Sequence, residues 1–487
     1  MDPKQIRNIA IIAHVDHGKT TLVDFLLKQA HVFADYQAEM QQTTILDSQE
    51  LERERGVTIL AKNTAVEWHG YKINILDTPG HADFSGEVER VLNMADGCLL
   101  LVDAAEGVLS QTRYVLSLAL RLNLKPIVVV NKVDRKDQRA QEVLEEINNL
   151  FLELATDTNQ LDFPVFYAVG KEGVVGTKTL LQPDHSLKIT DAQDLKLLFS
   201  AIIEKIPQPQ IEEKGGFQLQ VTTLDYDSHK GRYVIGKVRR GQAKQNDPLV
   251  IVRDGKVVGQ GRAEYIFTFK GLKRQEVVET NIGDIMAITG FRDARIGDTI
   301  TSAENPEGLP ALMIAEPTIQ LEISTSNSPL VGQDGEFTTS RQIGQRLTKE
   351  LETNVSLRLT PGSTGNHFIV AGRGELHLSI LIETMRREDF EFSVSRPQVI
   401  FRHINGVECE PWEMVTVEVP ENLAGVVLDA MGQRKAQMMN MQNFKNDIRF
   451  EYKIATRNLI GFRSELLTRT SGLGIVHSLL LGYEPKG

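Results

Sequence analysis

Three short stretches near the start of the chain combine residue types that suit nucleotide chemistry. In "AHVDHGKTT", Ala13 to Thr21, the loop residues Val15, Asp16, His17 and Gly18, with Thr21 at the start of a helix, can offer backbone N–H groups to phosphates. Lys19 can reach the outer two phosphates, and the Thr20 hydroxyl can ligate Mg²⁺. In "LDTPGHADF", Leu76 to Phe84, Asp77 ends a strand where an acidic residue can hold Mg²⁺ through water. Gly80 has no Cβ to keep its N–H from a terminal phosphate. In "NKVD", Asn131 to Asp134, the Asp134 carboxylate can accept from the N1–H and the exocyclic N2–H₂ of guanine, which adenine lacks. A site built on such bonds rejects analogues by on the order of 10⁴-fold. His81, taken alone, reads as a solvated loop residue or a satisfied hydrogen-bonder.

These stretches need elements that bring them to one edge. From residue 6 to about 205 short apolar runs ("IAIIA", "INILD", "CLLLVD", "PIVVVN") alternate with amphipathic ones ("TTLVDFLLKQA", "YVLSLALRL", "VLEEINNLFLEL"), the pattern of a mostly parallel sheet flanked by helices. Ligands of such sheets bind in loops at the carboxyl ends of the strands, where all three stretches fall. The phosphate-loop pattern asks for glycine at its first position and this chain has Ala13, which narrows the backbone freedom there.

At 487 residues the chain exceeds what one hydrophobic core serves, and about three or four domains are expected. With 41% hydrophobic and 24% charged residues it reads as an ordinary globular protein and not a disordered one. Cys98 and Cys409 lie far apart, and Cys98 sits in an apolar run, so a reducing compartment fits. No apolar run reaches the 18 or so residues of a membrane span, and "MDPKQIRNIA" lacks the plan of a signal peptide; the reading is cytoplasmic, without a membrane. A net charge of −11 argues mildly against nucleic-acid binding, yet "KVRRGQAK" (Lys237, Arg239, Arg240, Lys244) and "FKGLKR" (Lys270, Lys273, Arg274) are local basic clusters, either RNA contacts or solvated faces.

"AHVDHGKTT", "ERGVTI", "DTPGH" and "NKVD", in that order, resemble the translational GTPases, and "LVDFLLKQ" with "DSQELERERGVTILAKNTAV", Asp47 to Val66, looks like their BipA (TypA) branch. The resemblance implies GTP and GDP as ligands with Mg²⁺, and a switch in which Thr58 closes over metal and γ-phosphate. It places His81 where it orients the attacking water, held aside by Val15 and Val57 until a partner acts. The fifth nucleotide motif, commonly Ser-Ala, is matched by "YAVGKEG", giving Val169 and Gly170, whose backbone N–H groups are expected at the guanine O6. The implied partners are the ribosome, through rRNA and ribosomal proteins, and tRNA, met by a monomer in ribosome assembly or stress-adapted translation.

The fold expected is multidomain: an α/β P-loop GTPase domain (1–205), a β-barrel after the linker "IPQPQIEEKGG" (206–305), and two α+β, ferredoxin-like sandwich domains (306–397 and 398–487). The last two resemble the third and fifth domains of elongation factor G, with no room between them for its fourth. Members of the branch carry a further C-terminal domain, which a chain stopping at "GYEPKG" is read as lacking. Arg373 and His377 of "GRGELHL" are ribosome contacts or core and turn residues; Met431, Met438, Met439 and Met441 are read as core. A P-loop metabolic enzyme and a non-hydrolysing nucleotide-stabilised scaffold are the competing classes, and no metal cluster or nucleophile motif favours the first.

Overall fold

The computed structural model describes residues 1–30, 50–55, 58–212, 214–227, 229–312, 316–354, 356–362, 365–444 and 447–486. It divides into two compact units, Met1–His81 with Gly86–Ile314, and Ala82–Ser85 with Ala315–Gly487.

The first unit opens with the strand β1 (Ile6–Ala13), whose eight residues are all buried, as a strand covered on both faces must be. The helix α1 (Lys19–Gln29) follows, then α2 (Glu50–Arg55), β2 (Lys62–Trp68) and β3 (Tyr71–Asp77). Further on come β4 (Gly97–Asp103), β5 (Lys125–Asn131) and β6 (Val165–Val169). β1 lies between β3 and β4, β5 extends the sheet beyond β4, and β6 beyond β5, every pair parallel. Alternate residues of β1 enter opposite cores: Ile9 and Ile11 pack with Leu22, Val23, Leu26 and Leu27 of α1, while Ala10 and Ile12 join the core that holds Val143, Ile147, Leu150 and Phe151. That last spacing of four, three and one is one face of a helix, Ala140–Leu154. The register pairs Ile11 with Asp77, Asp103 with Asn131 and Asn131 with Ala168, so the strand-end polar residues share one edge.

Residues 218–302 of the same unit form nine antiparallel-paired strands around Leu219, Val234, Ile251, Met286 and Ile300. They are joined to the parallel sheet by buried charge. Asp284, wholly buried, accepts from Lys72 Nζ at 2.7 and 2.8 Å, Asn74 Nδ2 at 2.9 Å and Thr268 Oγ1 at 3.1 Å. Asn74 also donates to Asn8 Oδ1 at 2.7 Å, and Asn8 donates to Asp96 Oδ2 at 2.7 Å. Lys237 closes the chain on Asp96 Oδ1 at 2.5 Å, and burial pushes its ammonium down to about 8 against the pull of Asp96. The basic run "KVRRGQAK" is therefore in large part internal: Arg239 donates to the Asn93 carbonyl at 2.7 Å, and Arg240 pairs with Glu212 and Glu307. Alternation along a strand hid this, because Lys237 takes an inward position that sequence patterning assigns to apolar residues.

In the second unit Ile319–Thr325, Arg358–Pro361, His367–Gly372 and Phe392–Val394 form one antiparallel sheet, with the helices Ser340–Thr353 and Glu375–Arg387 in β–α–β–β–α–β order. Gln398–Val399 also pairs with this sheet, past residue 397. The same order recurs from Val407–Pro420 to Ile475–Pro485. His377 is a core histidine and not a surface contact: it is 2% exposed, hydrogen-bonded to Asn354, and burial holds its imidazole down to about 4. Met431 is core, but Met438, Met439 and Met441 are about half exposed on the strand Gln437–Phe444, whose residues 437–443 are exposed on both faces of its sheet.

Removing Asp284 leaves the Lys72 ammonium buried without its counter-charge and takes one of two acceptors from the Asn74 amide. Asp284→Ala is expected to cost about 3–5 kcal/mol in urea unfolding of the whole chain; a change below about 0.5 kcal/mol, the size of a surface substitution, would contradict this use of the network.

Candidate nucleotide-binding site

After Ala13 the chain turns through Asp16 (φ 63°) and Gly18 (φ 91°), and α1 begins at Lys19 with no side-chain cap on its amide groups. A helix start left open in this way is an anion site. A methyl group on Gly18 would stand 2.6 Å from Asn131 Nδ2. The Asp-Thr-Pro-Gly turn presses on this loop as closely: a Cβ on Gly80 would lie 3.2 Å from Val15 N and 3.3 Å from the Ala13 carbonyl. Space and backbone conformation both call for glycine at Gly18, while a side chain at Gly80 would meet tight backbone contacts.

At the mouth of the loop Lys19 is buried. Its ammonium donates to Thr58 Oγ1 at 3.1 Å, to Asp77 Oδ1 at 2.5 Å and to the Thr78 carbonyl. Asp77 is 1% exposed, and its Oδ2 has no hydrogen-bond partner among the described residues. An orphaned carboxylate oxygen in so dry a place suits a hydrated cation. Among the described residues no cluster of three or more His, Cys, Asp or Glu has metal-binding geometry. A cation here would depend on Thr20, Thr58 and Asp77 together with ligand oxygens, which fits Mg²⁺ bound with a polyphosphate.

Asn131 joins the two ends of the site. Its Nδ2 donates to the His17 carbonyl at 2.9 Å, and its Oδ1 accepts from Gly170 N at 2.9 Å. Lys132, at φ 60°, donates to the Asp16 carbonyl at 2.6 Å and pairs with Asp103 at 2.8 Å. Burial works against the Asp103 carboxylate, but the Lys132 hydrogen bond and the Ala105 N–H outweigh it and hold its pKa below the usual value. Asp103 escaped the motif reading; its signal is its place, the last residue of a buried strand at the level of Asn131. Asp134 is 27% exposed and pairs with Lys171 Nζ at 2.5 Å.

Of the other expected residues, Thr20, Thr21 and Val15 are partly buried and Thr58 is buried. His81, 8% exposed, directly follows Gly80 and is no solvated loop residue. Val57 lies outside the described residues. The His17 ring turns away from the loop mouth, with Nδ1 near the Leu101 carbonyl at 3.3 Å and Nε2 near Glu106 at 3.3 Å, leaving its backbone as its contribution. Val169 ends β6 buried, and the Gly170 N–H expected at the guanine base is engaged by Asn131 instead.

Three family models match: elongation factor Tu GTP binding domain over residues 4–208, elongation factor Tu domain 2 over 231–301 and elongation factor G C-terminus over 407–486. The chain is 47% identical to the large ribosomal subunit assembly factor BipA of Synechocystis over 481 residues, 99% of this chain and 79% of that protein. The same-named protein of Escherichia coli strain K12 is 47% identical over 482 residues, covering 99% and 78%, and that of Haemophilus influenzae is 46% identical over 486, covering 99% and 77%. A crystal structure of a protein from Thermus thermophilus superposes with a TM-score of 0.66 at 18% identity, over 99% of this chain and 97% of that one, a likeness of fold.

Gly18→Ala meets both the Asn131 amide and a left-handed backbone, which costs about 1–2 kcal/mol for an alanine. Its affinity for GTP and GDP, read by fluorescent-nucleotide titration, is expected to fall about tenfold or more. An unchanged dissociation constant would contradict this packing of loop against Asn131.

Proposed function

The chain belongs to the BipA family of translational GTPases, and from that membership we propose that it works on the ribosome as a GTP-hydrolysing factor, in assembly of the large subunit. The observation that carries the reading is the meeting of Lys19, Thr58 and Asp77 beside an uncapped helix start, with Asp77 Oδ2 left without a partner.

In this reading the amides of residues 15–21 bind the phosphates, and Lys19 moves from Asp77 onto the outer two. Thr20 and Thr58 would hold Mg²⁺ directly and Asp77 would hold it through water; the bound ion neutralises charge on the phosphate oxygens. Gly80 offers its N–H to the γ-phosphate. His81 orients the attacking water, and Val15 and Val57 hold its ring aside until the ribosome engages. Asp134 accepts from guanine after parting from Lys171, and Asn131 and Lys132 support the base and phosphate loops. With Gly170 N already used, the base O6 is met by the neighbouring backbone of the turn after Val169.

We read the remaining domains as a barrel and two ferredoxin-like sandwiches, consistent with the nine-stranded antiparallel part and the two β–α–β–β–α–β units. Among the described residues no helix is long and apolar enough to cross a membrane. In this proposal the protein acts in the cytoplasm as a monomer whose partner is the ribosome, where it also meets tRNA. The competing reading as a P-loop metabolic enzyme draws no support from a metal-binding cluster among the described residues.

His81→Ala is expected to lower ribosome-stimulated GTP turnover about 10²-fold or more while leaving GTP affinity within twofold. Undiminished turnover, or loss of GTP binding itself, would count against the role given to His81.

A further inference from the structure

Glu52 is a charged side chain with no exposure to solvent, six residues before Thr58. A carboxylate that deep persists only with strong partners. Its Oε1 accepts from the backbone N–H of Ile59 at 3.1 Å and of Leu60 at 3.3 Å, the two amides directly after Thr58. Its Oε2 pairs with Lys62 Nζ at 2.5 Å. Lys62 opens β2 and stands opposite Asp77 in the antiparallel register of β2 and β3. One carboxylate on α2 therefore fixes the backbone immediately following Thr58 and ties it to the strand pair that carries Asp77. Thr58 Oγ1 lies 3.1 Å from Lys19 Nζ at the loop mouth.

We propose that Glu52 is a positioning residue, a latch that sets Thr58 where its hydroxyl can serve the γ-phosphate and its metal. The inference rests on the role given to Thr58 under the proposed function. Glu52 touches neither ligand; it acts through the Ile59 and Leu60 amides. The ion pair with Lys62 engages the second carboxylate oxygen, and the two amides supply direction. Such a latch acts on the triphosphate state and not on nucleotide binding in general, because only the γ-phosphate and its metal call on Thr58.

The test is a set of binding titrations on the full chain with GTPγS and GDP across a Mg²⁺ series. Glu52→Gln keeps the shape of the side chain and removes its charge. It should raise the Mg²⁺ concentration for half-maximal GTPγS binding about tenfold, that is about 1.4 kcal/mol, with GDP affinity within twofold. Thr58→Ala should give a shift of the same kind, and the double variant should add little to it, since both act on one hydroxyl. If Thr58→Ala shifts the Mg²⁺ dependence and Glu52→Gln does not, the latch is overturned while the role of Thr58 stands. An unmoved Thr58→Ala would overturn that role and with it the latch. Equal loss of GTPγS and GDP affinity in Glu52→Gln would show a merely structural carboxylate and also overturn the proposal. Should Glu52→Gln not fold, Lys62→Gln carries the same expectation of a GTPγS-selective shift, about threefold, and its absence the same refutation.

Discussion

The arrangement of the site depends on one neutral amide. Asn131 is 2% exposed, and it satisfies both ends of its carboxamide on backbone groups of two different loops, the His17 carbonyl and the Gly170 N–H. Each such bond is worth only about 1 kcal/mol net, but leaving either group buried without a partner costs more. The distance between the phosphate end and the base end is thereby set by a side chain and not by loop stiffness. Gly18 and Gly170 both lie so close to that amide that a Cβ would stand 2.6 Å and 3.0 Å from it. The parallel register supplies the rest, since it carries Asp77, Asp103 and Asn131 to the same edge of the sheet.

Three lysine–aspartate pairs are buried among the described residues of the first unit, and they differ in how far the carboxylate is satisfied. Asp284 uses both oxygens, on Lys72, Asn74 and Thr268. Asp96 uses both, on Lys237 and Asn8. Asp77 gives Oδ1 to Lys19 and leaves Oδ2 buried without a hydrogen bond. A fully satisfied buried pair fixes structure, whereas a half-satisfied one is costly in a fold that gains nothing from it. The first two therefore weld the all-β part to the parallel sheet, and the third is where the proposed function puts phosphate and metal.

Much of this was legible in the sequence where the cause is local. The phosphate loop, the Asp-Thr-Pro-Gly turn and the Asn-Lys-x-Asp stretch each follow a buried apolar run, and strand followed by glycine-rich loop is a short-range signal. Residues whose meaning lies in a distant partner were not legible. Asp103 matters through Lys132, Lys237 through Asp96 and Glu52 through the amides of Ile59 and Leu60, and no spacing announces these pairings. For His377 the sequence left ribosome contact and core residue both open for the same reason, since only the packing of its ring shows it buried. The methionines after residue 437 erred the other way, because side-chain type alone cannot tell an exposed strand from a covered one.

The central claim is that this site is a GTPase whose turnover is governed by the ribosome. Its most direct test is multiple-turnover GTP hydrolysis by the full chain alone, with whole ribosomes, and with each isolated subunit, alongside co-sedimentation in GTP and in GDP. The account predicts slow turnover alone, acceleration by ribosomal particles that include the large subunit, and pelleting favoured by GTP. If no ribosomal particle changes either the turnover or the sedimentation of the GTP-bound protein, the account is wrong.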